Sequence, residues 1–67
     1  MIAVTINGEP RQFAEPLRFQ QLLDTLGLAG KRVAVERNGE IVPRGEFTAR
    51  AIADGDRLEI VVAVGGG

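Results

Sequence analysis

The stretch RFQQLLDTLG, residues 18–27, decides the fold. Its apolar residues recur at i, i+3, i+4 and i+7, the spacing of an amphipathic helix with one apolar face. Gly27 follows as a glycine suited to ending a helix, whereas Arg18 stands where Ser, Thr or Asp is the preferred cap. A helix this short forms only by docking its apolar face on a sheet. We therefore predict one poorly capped helix over about residues 18–27. Its predicted buried anchors are Leu22, Leu23 and Leu26.

The residues before this helix predict a hairpin over positions 1–15. In MIAVTI, apolar and β-branched residues alternate as they do in a half-buried strand. Asn7-Gly8 follows, the dipeptide that best tolerates the positive φ angles of a type I′ turn. The returning strand EPRQFAE contains Pro10, which has no N–H to donate. We expect this second strand at a sheet edge.

The residues after the helix predict a second, shorter hairpin. In KRVAVERNGEIVPR a strand runs through Val33 and Val35, and a second Asn-Gly pair follows at 38–39. A short strand is expected at Ile41-Val42, and Pro43 ends it.

Residues 45–56 are too short for a full helix and end in the turn sequence DGD. We expect one turn whose Phe47, Ala51 and Ile52 cover the edge of the core. Asp54 and Asp56 form at most a weak cation site, because two carboxylates lack further ligands. A turn in which Asp side chains bond nearby backbone amides is the favoured interpretation.

The last strand is RLEIVVAV, residues 57–64, and with the first strand it is the most apolar. Apolar strands belong in the middle of a sheet, and the helical crossover allows the two to lie parallel there. This order predicts an α+β protein, the β-grasp or ubiquitin-like architecture, with a mixed sheet of four to five strands on one α-helix. The predicted domain covers residues 1–64. Leu58, Ile60, Val62 and Val64 are expected to face the helix. A docking patch is predicted on the opposite face at Glu59, Val61 and Ala63.

Composition excludes several classes of function. The 67 residues contain no Cys and no His, which removes thiol nucleophiles, disulfides and Cys2His2 zinc sites. Eight basic and nine acidic residues, with neither Trp nor Tyr, argue against a nucleic-acid partner. The longest apolar run, IVVAV, is too short to span a bilayer, and no signal peptide opens the chain. We expect a cytoplasmic domain without a membrane partner, a metal site, a bound cofactor or enzymatic activity.

Three glycines, residues 65–67, follow the last strand. Glycine is costly to immobilise and buries nothing, so these residues predict a flexible tail. An idle, frayed end is one interpretation. The other is functional: Gly65 and Gly66 lack Cβ atoms and fit a narrow slot of a partner, and Gly67 presents an unshielded carboxylate for activation.

The chain resembles the ThiS family of sulfur carriers. The resemblance rests on NGEIVPR at 38–44, Phe47, DGD at 54–56 and the terminal Gly66-Gly67, and it covers the whole chain. Phe47 stands where the family often has Trp, and Arg18 stands where a Thr cap is common.

The resemblance implies a chemistry centred on Gly67. A ThiF-type adenylyltransferase would use ATP and magnesium to adenylate its carboxyl. Sulfur from a cysteine desulfurase would convert the adenylate to a thiocarboxylate, and a ThiG-type thiazole synthase would take that sulfur. Two alternatives remain open at this point: a MoaD-like carrier that serves molybdopterin synthesis, and a β-grasp interaction module with an idle tail.

Overall fold

A computed structural model describes residues 1–63 as a mixed sheet with one helix. Three predictions lie outside the described residues: the inward position of Val64, the domain boundary after it and the glycine tail at 65–67. The elements are β1 (Ile2–Ile6), β2 (Glu9–Phe13), α1 (Phe19–Thr25), β3 (Val33–Arg37), β4 (Glu40–Ile41), a short 3₁₀ helix (Arg44–Glu46) and β5 (Arg57–Val62). The strands follow the order β2-β1-β5-β3-β4, in which β1 and β5 are parallel and the other neighbours antiparallel. The sheet has five strands, the upper end of the predicted range of four to five. The single helix and the parallel pairing of the first and last strands are also confirmed in the described residues.

Both Asn-Gly pairs form the predicted turns. Asn7 and Gly8 have φ angles of 52° and 84°, and Asn38 and Gly39 have 51° and 89°. Two consecutive positive φ angles are the signature of the type I′ turn, whose twist matches that of the flanking strands. Pro10 lies opposite Thr5 on the edge strand β2, as its missing N–H requires.

The helix ends in a Schellman motif. Gly27 has a φ of 76°, its N–H donates to the Asp24 carbonyl at 3.1 Å, and the Leu28 N–H donates to the Leu23 carbonyl at 2.8 Å. Leu22 and Leu23 are buried, as predicted. The prediction that Leu26 is a buried anchor is wrong. Leu26 is the C-cap residue, already out of helical geometry at ψ 1°, and it packs half-buried against the rim of the core.

The start of the helix is capped by another segment of the chain. A guanidinium only donates hydrogen bonds, so Arg18 cannot accept one from the helix. It donates instead to the carbonyls of Thr48 and Ala49, each at 3.1 Å. The N–H of Phe19 donates to the Arg50 carbonyl at 3.1 Å, and that of Gln20 to the Phe47 carbonyl at 3.0 Å. Locally, only Gln21 Oε1 contributes to the cap, by accepting the Arg18 N–H at 2.9 Å. The residues after the 3₁₀ helix supply the rest.

The core lies between α1 and one face of the sheet. Phe47 and Ile52 are buried there, as expected, and the Phe47 and Phe19 rings lie 6.5 Å apart. The expectation that Ala51 covers the core is wrong, because Ala51 bridges to Arg18 through its backbone and its side chain is exposed. The buried apolar residues are Ile2, Val4, Ile6, Phe19, Leu22, Leu23, Val35, Val42, Phe47, Ile52, Leu58 and Ile60.

The short strand β4 begins one residue earlier than predicted. It comprises Glu40–Ile41, and Val42 is buried with its N–H donated to the Val35 carbonyl at 2.9 Å. Over residues 1–63, the one α-helix is too short to cross a bilayer.

Truncation of Leu23 to Ala should lower the free energy of unfolding by about 2–5 kcal/mol, because it leaves a cavity under the helix. That loss is a large share of a small domain's stability. The exposed neighbour Thr25→Ala serves as the control and should change stability little. A thermal or denaturant melt of both variants measures the difference, and a Leu23→Ala protein that melts with the wild type would disprove the helix packing.

Candidate functional site

The candidate site is the strand β5 and the exposed sheet face around it, because β5 leads directly to the glycines. On one edge, β1 ends at Ile6, opposite Leu58. The side chain of Asn7 continues the ladder beyond that point. Its Nδ2 donates to the Ile60 carbonyl at 3.1 Å and its Oδ1 accepts the Ile60 N–H at 2.8 Å. The amide thus takes the place of a strand residue and fixes β5 past the end of its neighbour.

The second turn holds the start of β5 on the other edge. Asn38 Oδ1 accepts the N–H of Arg57 at 2.9 Å, and Asn38 Nδ2 donates to Asp56 Oδ1 at 3.2 Å. Asp56 is only 5% exposed and forms an ion pair with Arg37 Nε at 3.1 Å. Sequence reasoning missed this cluster, because the partners lie 18 or more residues apart in the chain.

The two aspartates of the DGD turn act as hydrogen-bond acceptors for backbone amides. Asp56 Oδ2 accepts the N–H of Ala53 at 2.8 Å, the nearby bond that was predicted. Asp54 Oδ1 accepts the N–H of Ala3 at 2.7 Å, so its bond ties the turn to β1 rather than to its own neighbours. In the described part of the chain no three Asp, Glu, His or Cys side chains converge on a metal-sized site.

The predicted docking patch lies on the sheet face opposite the helix. Glu59, Val61 and Ala63 are all exposed, with Val61 exposed to 63%. Strand pairing places Ala34 opposite Val61, and Glu36 between Glu59 and Ile41 on the same face. We call these six residues the open face: Ala34, Glu36, Ile41, Glu59, Val61 and Ala63.

Ile41 is the residue of the open face that sequence reasoning missed. Ile41 is 73% exposed, although it was predicted to share one apolar strand with Val42, which is buried. The alternation of side chains along a strand was the available signal, since two successive residues cannot both face the core. Ala63, the last described residue, donates its N–H to the Arg32 carbonyl at 2.9 Å. The predicted site residues Gly65, Gly66 and Gly67 follow it and lie outside the described residues.

Relatives of this chain are known in sequence and in structure. A thiazole synthase of Paramagnetospirillum magneticum is 48% identical over 64 residues, which are 96% of this chain but 20% of that protein's length. The sulfur carrier protein ThiS of Thermus thermophilus is 38% identical over 96% of this chain and 98% of its own. The crystal structure of the thiamine biosynthesis protein ThiS from Geobacter metallireducens has a TM-score of 0.83 and 39% identity, covering 98% of this chain and all of that one.

A mixed sheet that clasps one helix on a single face, with its last strand at the centre, defines a protein of the β-grasp or ubiquitin-like class. Residues 4–67 match the model of the ThiS family. The chain belongs to the ThiS family, and its relatives of similar length are named sulfur carrier protein ThiS and thiamine biosynthesis protein ThiS. The family resemblance drawn from the sequence is confirmed, and so is the expectation that the chain is not an enzyme.

Replacing Asn7 by Gly should lower the free energy of unfolding by about 1–3 kcal/mol, because glycine keeps the turn but removes both bonds to Ile60. The Ile60 amide should also exchange with solvent faster. Native-state hydrogen exchange measures this directly, with the Val42 amide, which donates to the Val35 carbonyl at 2.9 Å, as internal reference. Unchanged protection of the Ile60 amide would show that the Asn7 side chain does not hold the strand.

Proposed function

We propose that this chain carries sulfur as a thiocarboxylate on Gly67, after another protein has adenylated that carboxyl. The observation that carries the proposal is membership of the ThiS family together with the position of β5. Bonds to β1, β3 and Asn7 fix the strand as far as Ala63. Only four residues, 64–67, follow in the sequence up to the proposed reactive group, a short tether that suits insertion into a partner's site.

The chemistry requires activation, because a carboxylate is a poor acyl donor. An α-carboxyl has a reference pKa of about 3.3–3.7, so at neutral pH it is ionised and able to attack phosphorus. In the proposed first step a carboxylate oxygen attacks the α-phosphorus of ATP, and pyrophosphate leaves with the bonding electrons. A persulfide sulfur then attacks the acyl carbon and AMP leaves. A second thiol cleaves the sulfur–sulfur bond, which releases the thiocarboxylate and leaves a disulfide.

The carrier supplies only the carboxyl in this scheme. With neither Cys nor His in its sequence, it brings no thiol and no imidazole of its own to the reaction. We assign ATP and magnesium to a ThiF-type adenylyltransferase, and the persulfide to a cysteine desulfurase. The carrier is then a cosubstrate, consumed and regenerated with each sulfur delivered.

We propose a ThiG-type thiazole synthase as the acceptor of the sulfur. Support comes from the relatives named thiazole synthase, in which a segment similar to this chain belongs to a longer polypeptide. Joining a carrier to its acceptor raises their effective concentration. The proposed docking patch at Glu59, Val61 and Ala63 lies on the strand that precedes the tail, so an enzyme that receives the tail lies close to it.

Adding one residue after Gly67 should abolish adenylation, because the new carboxyl lies one residue beyond the required position. In-line attack needs the reacting atoms about 3–3.5 Å apart. Gly66→Val should also impair adenylation by placing a β-branched side chain in a narrow slot. ATP–pyrophosphate exchange with the ThiF-type enzyme measures both effects.

Thermal melts provide the control for these tail variants. Neither change should shift the melting temperature, since glycine contributes no side chain to the core. Full exchange by the extended protein would refute the carrier proposal and favour an interaction module with an idle tail. Mass spectrometry of the chain after the complete reaction would support the carrier proposal if its mass increased by the replacement of one oxygen of Gly67 by sulfur.

Val61→Asp should weaken binding to the adenylating enzyme, because it places a charge at the centre of an apolar contact. Thr25→Asp adds the same charge to the exposed end of the helix and is the matched control. Titration of the folded variants gives both affinities. Equal affinities for Val61→Asp and the wild type would remove Val61 from the docking patch.

A further inference from the structure

A hollow of about 250 Å³ lies at the end of β5, on the face of the sheet that carries the helix. The residues that follow α1 and the end of β5 line one side of it, and the β1–β2 hairpin lines the other. Its apolar lining residues are Ile6, Leu26, Leu28, Ile60 and Val62, and its polar ones are Asn7, Glu9 and Arg11. The apolar side of the hollow therefore borders the point at which the chain leaves the sheet.

The inner face of β5 is less well covered toward the end of the strand. Leu58 is fully buried, Ile60 is 7% exposed and Val62 is only half-buried. Coverage falls because α1 has already ended at this level, and the residues that remain to cover the strand, Leu26 and Leu28, are half-buried themselves. Within residues 1–63 the apolar layer between helix and sheet is therefore incomplete at this end.

Continuation of the strand would bring residue 64 to this hollow. Side chains alternate along a strand, so the inner face that carries Ile60 and Val62 recurs at position 64. The ladder supports this continuation, because the Ala63 N–H donates to the Arg32 carbonyl at 2.9 Å, one residue beyond the last strand pair. Two residues of a strand advance about 6.6 Å, roughly the width of a side chain, so an inward side chain at position 64 adjoins Val62.

We propose that the side chain of Val64 fills the apolar side of the hollow, against Leu28 and Val62, and anchors the chain there. The length and composition of the remaining segment favour this occupant. Among residues 64–67 only Val64 carries a side chain, and that side chain is apolar. A segment joined directly to Ala63 also fills the hollow without the loss of translational freedom that a second copy or a partner would incur.

The consequence for the proposed function, on which this part of the inference rests, concerns the length of the arm. With Val64 anchored, the arm that carries the carboxylate consists of Gly65, Gly66 and Gly67. Each further residue that has to be ordered when the arm enters a partner's site weakens binding about tenfold. Val64 is then a positioning residue, which acts on the reaction through the arm rather than by touching the reacting atoms.

The first test needs no partner and uses the full chain with Val64→Ser. The melting temperature should fall by about 4–8 °C, because a partly buried apolar side chain is lost. Protection of the Ala63 amide against hydrogen exchange should fall about tenfold, since the end of the ladder is released. Val61→Ser is the matched control, because it removes the same side chain from the exposed face of the same strand and should change both values much less.

A double-mutant cycle with Leu28→Ala tests the contact itself. Val64→Ser should lower the melting temperature much less in the Leu28→Ala background, because the opposing wall of the hollow is already lost. Val64→Ile keeps an apolar β-branched side chain and should behave like the wild type. Additive losses in the cycle, or a Val64→Ser protein that melts and exchanges like the wild type, would overturn the proposal.

Pyrophosphate exchange tests the positioning role at a temperature at which every variant is folded. Val64→Ser should raise the carrier concentration for half-maximal exchange about tenfold and leave the maximal rate unchanged, whereas Val64→Ile should match the wild type. An unchanged half-maximal concentration would overturn the positioning role. A raised concentration without any change in melting or hydrogen exchange would overturn the anchor and assign Val64 to a direct contact with the enzyme.

The two sets of measurements also separate this inference from the carrier function. Absence of pyrophosphate exchange with the wild-type chain would defeat the carrier function and with it the positioning role. The melting temperatures, the Ala63 amide and the double-mutant cycle decide by themselves whether Val64 is anchored in the hollow.

Discussion

The placement of β5 between β1 and β3 is the constraint on which the rest of the structure depends. Leu58 and Ile60 point from this strand into the core, and burial of such side chains contributes about 1.5–3 kcal/mol each. The parallel pairing with β1 exists because the helix carries the chain across the sheet. The antiparallel pairing with β3 then continues to Ala63. The hydrogen-bonded part of the last strand thereby extends to Ala63, two positions before the first of the three terminal glycines.

The helix depends on the same arrangement in return. Gln21 Oε1 accepts only the N–H of Arg18 at the helix start, and the carbonyls of Phe47 and Arg50 accept those of Gln20 and Phe19. A helix of seven residues is too short to be stable by itself, so docking and capping must form together. The segment that follows the 3₁₀ helix is therefore part of the helix's stability, although the two are distant in the chain.

The two faces of the sheet have different roles: the face toward the helix stabilises the fold, and the opposite face is available to bind partners. The inner face carries the core residues. Hydrogen bonds from backbone amides to the side chains of Asn7 and Asp56 hold the ends of the strands in place. The outer face carries the exposed side chains of Ile41 and Val61 and the facing carboxylates of Glu36 and Glu59, which add little or nothing to folding. This division suits the proposed transfer of sulfur between enzymes, because contacts on the outer face can form and break without disturbing the strand that leads to the glycines.

Local patterns in the sequence determined the elements, both type I′ turns, the edge position of β2 and the parallel central pair. The elements, turns and edge position follow from periodicity, from Asn-Gly pairs and from a missing proline N–H, all of which act within a few residues. The parallel pair follows from the apolar content of the first and last strands and from the helical crossover between them. Tertiary structure alone decided the cap at Phe19, the Asn7 bonds to Ile60 and the exposure of Ala51. It also left Leu26 half-buried. These features join residues far apart in the chain or depend on the direction of one side chain at the end of an element, where periodicity no longer applies.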